Sequence, residues 1–257
     1  MTGPAVRERQ VGLLRLLREH ARQCETLDLR WLAVGGTLLG AARHGGFIPW
    51  DDDVDVAMPR EDFNRLDRWY ADPAQLPAGL AWRSPGVEPG FPHAYGKLSL
   101  TGTDVFMDVF PLDGAPRGAL ARRIHAVVLR CAATSLGARL PRTGWRRPVA
   151  AVLGLVPWPA AAGALARISR AFPYDAAAWV VNAGGAYGYA RECQPRDVLE
   201  PLAALPFEDL QIPVPADTDA YLRRIYGDYR RLPPASARVP RHAGNTPAPT
   251  SATEAQA

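Results

Sequence analysis

The sequence predicts an α+β fold on three observations. Trp31–Val34 reads as a buried strand that runs into a Gly35-Gly36 turn, a short helix over Thr37–Arg43 and a second strand over Asp53–Met58. Ala94–Leu100 and Asp104–Phe110 read as two further strands joined at a Thr101-Gly102-Thr103 hairpin turn. Residues 118–171 are helical in character.

The chain has 257 residues, enough to bury one substantial core or two modest ones. A net charge of +4 fits an anionic substrate or an anionic membrane surface. No basic stripe interleaved with aromatics appears, so nucleic acid is not an expected partner. Of 30 basic residues only Lys97 is lysine, which singles it out, because a compact ammonium differs chemically from a guanidinium. Cys24, Cys131 and Cys193 are odd in number and widely spaced, so neither a disulfide framework nor a zinc site is expected. Arg7, Glu8, Arg9 and Arg15 interrupt any leader-like apolar run, and the expected location is cytoplasmic.

Residues 5–28 read as an amphipathic helix with Val11, Leu14, Leu17, Ala21 and Cys24 inward. The next stretch, residues 33–59, holds the chemistry. A glycine pair lets backbone approach a ligand, and the helix behind it points free N–H groups and a positive dipole end at an anion. Asp53 and Asp55, two apart on a strand, send both carboxylates from one face, while Val54 and Val56 face the core. Two hard oxygen ligands side by side suit Mg²⁺, which completes its shell with water and substrate phosphate. Asp51 and Asp52 precede the strand and can reach the same metal or none. The competing reading is a solvated acidic patch; alternation with valine and the glycine–helix unit just upstream argue against it.

Pro59 stops the strand, and Arg60–Tyr70 reads as a helix with Phe63 and Leu66 inward. Residues 71–93 are broken by proline and glycine, with Leu80–Arg83 as the only strand expected there. Lys97 sits mid-strand in the first hairpin arm. In the second, Asp108 stands among apolar residues, where a carboxylate must be paired or metal-bound unless it lies on an exposed edge. Pro111-Leu112-Asp113-Gly114 reads as a turn that Asp113 caps.

Leu120–Leu136 carries Arg122, Arg123, His125 and Arg130 on one side. Val149–Ala166 has no charge, but Pro157-Trp158-Pro159 cuts it near the middle. Two short buried helices are expected there; a hairpin resting on a membrane surface stays open, given Trp145, Arg146, Arg147 and Trp158. Residues 172–198 read as two strands around Gly184-Gly185, and Phe207–Pro213 as a strand or hairpin arm. Asp217–Tyr229 reads as a helix with Tyr221, Leu222, Ile225 and Tyr226 inward, and residues 243–257 as a disordered tail.

Three blocks together resemble the LicD family, whose relatives include fukutin and the fukutin-related protein. They are GGTLLGAARHGGFIPWDDDVDVAMPREDF (Gly35–Phe63); Lys97-Leu98 with Met107-Asp108-Val109-Phe110-Pro111-Leu112-Asp113-Gly114; and Tyr221-Leu222, Tyr226-Gly227-Asp228-Tyr229 and Leu232-Pro233-Pro234 with His242 beyond. The resemblance implies a nucleotidyltransferase-type small mixed β-sheet flanked by helices, with an added mostly helical region. It implies one domain over 1–242: a catalytic core at about 25–114, a helical region at about 115–171 and a C-terminal part at about 172–242. It also implies transfer of a phospho-alcohol, phosphocholine or a polyol phosphate, from a CDP-linked donor to a sugar hydroxyl of a cell-surface glycan or glycolipid. By position, Asp53, Asp55 and Asp108 match the family's metal-binding and catalytic acids. Gly35, Gly36, Thr37, Arg43, His44 and Lys97 match its donor-phosphate side. His44 reads equally as a turn residue beside Gly45-Gly46. The expected cofactor is Mg²⁺, with Mn²⁺ as a substitute. The zinc-binding insert of some animal relatives has no counterpart, so no zinc is expected. The strand segment SLTGTDVFMD is less polar than in relatives, which bears on the acceptor side. Peripheral contact with the inner face of the membrane is left open. The alternatives are a nucleotidyltransferase that releases pyrophosphate, a phosphodiesterase, and a non-catalytic nucleotide- or glycan-binding module.

Overall fold

A computed structural model of the chain describes residues 3–88, 90–135, 160, 163 and 167–240. Helix α1, Pro4–Thr26, starts with proline in its first turn, where a missing N–H costs nothing. Its buried stripe runs Val6, Gln10, Leu13, Leu17, His20 and Cys24. Val11, expected inward, is instead 58% exposed. The buried face also carries Arg9 and Gln23, four polar residues in all with Gln10 and His20, so hydrophobicity alone tilts the reading one position toward Val11.

His20 is fully buried, edge-on to the Trp31 ring at 5.1 Å, with Nδ1 unpartnered among the described residues. Burial pushes its pKa down to about 3, because the imidazolium cannot be solvated there. The unfolded chain takes up a proton near pH 6.5 and the folded chain does not. Stability from His20 is therefore complete above about pH 6.5 and falls by about 1.4 kcal/mol per pH unit below it. A His20→Leu variant should show a flatter stability profile between pH 6.5 and 4.5 in urea titrations. An unchanged slope would remove His20 as its cause.

The sheet is mixed. Strands β1 (Leu32–Ala33), β2 (Asp55–Pro59), β3 (Leu80–Arg83), β4 (Gly96–Leu100) and β5 (Phe106–Ala115) lie in the order β1-β2-β5-β4-β3. The β2–β5 pair is parallel and the other three are antiparallel. β6 (Trp179–Asn182) pairs antiparallel with the far half of β5, and β7 (Cys193–Pro195) with β6. β8 (Ala203–Phe207) and β9 (Leu210–Val214) form a separate hairpin that contains the expected 207–213 arm.

Helix α2 spans Gly35–His44 and α3 spans Arg60–Tyr70. Phe63, Leu66 and Tyr70 of α3 are buried in the core with Trp82. α4 is Ala119–Ser135, α5 Tyr189–Glu192, α6 Arg196–Leu199 and α7 Thr218–Tyr226. α5 stands between the two strands expected over 172–198. In α7, Tyr221, Leu222 and Ile225 are buried and Tyr226 is half-buried. The expected helices over Val149–Ala166 and the tail at 243–257 lie outside the described residues, apart from residues 160 and 163. Among the described residues no helix is long and apolar enough to cross a membrane.

Two local expectations change. Gly35-Gly36 is the first turn of α2 rather than a turn before it. Residues 111–114 are not a turn, because β5 continues through them to Ala115. The Asp108 N–H donates to Val54 on the β2 side, so alternation aims the Pro111 nitrogen at the opposite edge. There β4 pairs only to Val109 and β6 begins at Leu112. Pro111 thus sits where no partner needs its missing N–H. Asp113 caps nothing; it is 1% exposed and bound by Arg60 through two bonds of 2.7 Å.

A candidate active site at the head of a helix

Register assembles the site. Asp55 on β2 stands opposite Asp108 on β5, and Asp108 stands opposite Lys97 on β4. Laterally paired residues share a sheet face, so three adjacent strands place two carboxylates and the chain's only lysine in one row. Lys97 Nζ is ion-paired with Asp108 and lies 3.9 Å from the Phe106 ring centroid.

The head of α2 meets this row. The Asp55 N–H donates to Thr37 Oγ1 at 2.8 Å, and the Val34 N–H donates to the Asp55 carbonyl at 3.2 Å. Gly35 has φ +54°, and a Cβ there would lie 2.9 Å from Asp55 Oδ2. A Cβ on Gly36 would lie 2.7 Å from Asp51 Oδ2. The glycine pair is therefore required by close approach of two carboxylates to the helix's positive end.

Asp53 lies just before β2 rather than in it, since the strand begins at Asp55. It remains electrostatically close. The half-buried Asp55 carboxyl is held well above the ordinary carboxylate range, first by burial, then by the charges of Asp53, Asp108 and Asp51. Lys97 acts in the opposite sense. Among the described residues no three His, Cys, Asp or Glu side chains are disposed to close on one ion. The donor chemistry that fits a cation is the Asp53–Asp55 pair with its crowded negative charge. That set suits Mg²⁺, which needs only one or two protein carboxylates.

Of the two remaining expected residues, Arg43 stays in electrostatic reach of Asp51. The half-buried Arg43 donates to the Tyr229 carbonyl at 3.0 Å, and its Nε has no partner among the described residues. Partial burial lowers its pKa, while the nearby Tyr226 and Asp51 favour its charge. His44 is exposed in the last turn of α2, roughly 13 Å along the axis from the glycines at 1.5 Å per residue. Its pKa is lowered by desolvation and by Arg43.

Several groups at the site were not singled out from the sequence. Buried Arg9 and Gln10 of α1 fix the acidic loop through its backbone: Arg9 Nε donates to the Asp52 carbonyl at 2.7 Å, and Gln10 Nε2 to the Asp51 carbonyl at 2.9 Å. Polar residues on α1's inward stripe were the available signal. Tyr95 lies near Asp108, and its hydroxyl pKa is pushed up by burial and then by the Asp108 and Asp55 charges. From the C-terminal part, the Tyr187 hydroxyl donates to that of Tyr226 at 2.8 Å, and both Tyr221 and Tyr226 feel the Asp55 charge. Loop 183–188 lies over this region, with Gly184 close against Tyr95 and Phe110. The Tyr187 N–H is held at 3.2 Å by Glu192, whose carboxyl burial pushes up to about 7. No local pattern tied these residues to the acids.

Fold and site together define a nucleotidyltransferase-type α+β domain. Residues 28–112, about a third of the chain, match the family described as LicD/FKTN/FKRP, nucleotidyltransferase domain. It is 27% identical over 260 aligned positions to the lipopolysaccharide cholinephosphotransferase LicD of Haemophilus influenzae, covering 92% of this chain and 96% of that protein. It is 48% identical over 59 residues to the ribitol 5-phosphate transferase FKRP of mouse and of human, covering 21% of this chain and 12% of those proteins.

Proposed function

We propose that the chain transfers a phospho-alcohol group from a CDP-linked donor to a sugar hydroxyl of a glycan or glycolipid, with Mg²⁺ as cofactor. The observation that carries this reading is the row Asp55–Asp108–Lys97 at the head of α2, with Asp53 beside it. The names of the LicD and FKRP relatives support phospho-group transfer as the reaction class.

Asp53 and Asp55 would hold the metal, whose Lewis acidity stabilises charge gathering on the donor diphosphate. The α2 N–H groups at Gly35, Gly36 and Thr37 face the same negative charge. Asp108 accepts the proton of the attacking sugar hydroxyl. The new bond joins that oxygen to the alcohol-bearing phosphorus; the bond to the bridging oxygen breaks, and cytidine monophosphate leaves. Lys97 and Arg43 balance charge on the phosphate oxygens.

The test is product analysis with CDP-choline, CDP-ribitol, CDP-glycerol and CTP, each with and without glycan and Mg²⁺. Glycan-dependent release of cytidine monophosphate from one CDP-alcohol is expected. Pyrophosphate release from CTP, or donor hydrolysis indifferent to glycan, would replace this reading with a nucleotidyltransferase or a phosphodiesterase.

A further inference from the structure

Helix α4 is docked by its polar side. The Arg122 guanidinium lies 3.8 Å over the Trp179 ring, His125 Nδ1 is 2.8 Å from the Tyr189 hydroxyl, and Leu129 is buried behind them. The outer face is the apolar one. Leu120, Ile124 and Val127 are 71%, 57% and 61% exposed, and Val128 is 39% exposed beside them. Steps of four and three residues align these side chains in one stripe. Arg117 and Arg123 are exposed at its rim.

Charge marks the stretch of sequence that contains α4. Residues 114–174 contain ten arginines and neither Asp nor Glu, which leaves 20 basic against 26 acidic residues for the rest of the chain. The positive excess of the protein is thus confined to one segment of sequence, which contains α4. An exposed apolar stripe of this kind marks an interaction surface. Arg117 and Arg123 beside it, with no acid on the helix itself, select the partner. A second copy would bring arginine against arginine, and like charges across an interface oppose pairing. An anionic lipid surface satisfies both halves: apolar side chains enter the acyl boundary and guanidinium groups meet the headgroups.

We infer that the outer face of α4 docks the protein on anionic membrane, through Leu120, Ile124 and Val127 with Arg117 and Arg123 at the headgroups. The inference is independent of which donor the acidic site uses. Each arginine at an anionic surface strengthens binding about fivefold, and salt screens that part.

Vesicle co-sedimentation of the full chain tests it, with phosphatidylcholine alone against phosphatidylcholine containing about a third phosphatidylglycerol. Binding to the anionic vesicles only, reduced by added salt, is the expected result. A Leu120→Glu/Ile124→Glu/Val127→Glu variant should bind at least about tenfold more weakly, with unchanged circular dichroism and Tm. Arg117→Gln/Arg123→Gln should lose affinity for anionic vesicles while staying folded. Equal binding to both vesicle types, or full binding by the triple variant, overturns the inference. So does a wild-type dimer that the triple variant converts to monomer, which would put a second copy on the face. A lower Tm of the triple variant with unchanged vesicle binding would put a segment of the chain itself there.

Discussion

Asp55→Asn is expected to cut transfer by about a thousandfold or more, the equivalent of about 4 kcal/mol at the transition state, while the chain stays folded. Asp55 is the residue where the head of α2, the β2–β5 register and three neighbouring carboxylates meet. Its amide keeps the shape and the backbone bond to Thr37 but loses a hard anionic oxygen. Stability should move the other way. A carboxyl held above its ordinary range in the fold is one whose ionised form the fold disfavours, so folding against these neighbours costs free energy at neutral pH. Removing the charge relieves that cost, and Tm should rise. Sites kept for chemistry at the expense of stability behave in this way. The paired measurement is donor turnover and thermal melting of the same preparation. Normal turnover would remove Asp55 from the reaction, and a fall in Tm would show the carboxylate to be structural.

Asp113→Ala should be among the most destabilising substitutions in the fold, by about 3–5 kcal/mol, or a Tm fall on the order of 10 °C. Asp113 is almost fully buried, Arg60 is 14% exposed, and two bonds of 2.7 Å join them. Truncating Asp113 leaves a buried guanidinium without its counter-charge. Replacing both, as in Arg60→Met/Asp113→Leu, removes that uncompensated charge and should recover most of the loss. Denaturant titration of the two single variants and the double variant measures the coupling directly. A double variant no more stable than Asp113→Ala would show that packing around Arg60, and not the charge pair, dominates. This pair lies on the β5 segment that the sequence reading made a turn. Proline and glycine beside an acid carry a turn signal, and nothing in the local sequence reports that Pro111 falls at the junction between β4 and β6.

The expected α3 and β3 coincide in their ends with the observed elements, because each is bounded by local signals: Pro59 before α3, and proline–glycine clusters around β3. The glycine pair, Thr37, Asp53 and Asp55 were legible for the same reason, lying within some twenty residues of one another. Asp108 and Lys97 were legible as an acid and a lysine in apolar strands, though not as a pair. Their pairing depends on β4–β5 register, and Asp108's place beside Asp55 on a parallel contact between segments about fifty residues apart.

By itself the sequence determined the α+β class, the glycine-led helix with its acids, and the resemblance to the LicD family. These are carried by covalent neighbours and short periodicities. The tertiary structure alone decided that Arg9 and Gln10 hold the acidic loop and that Glu192, Tyr187 and Tyr226 come together, with Tyr226 in reach of the Asp55 charge. It also decided that α4 turns its apolar side outward. Such facts follow from which faces meet across the whole core, and a helix's own pattern names two faces without saying which one the rest of the chain will cover.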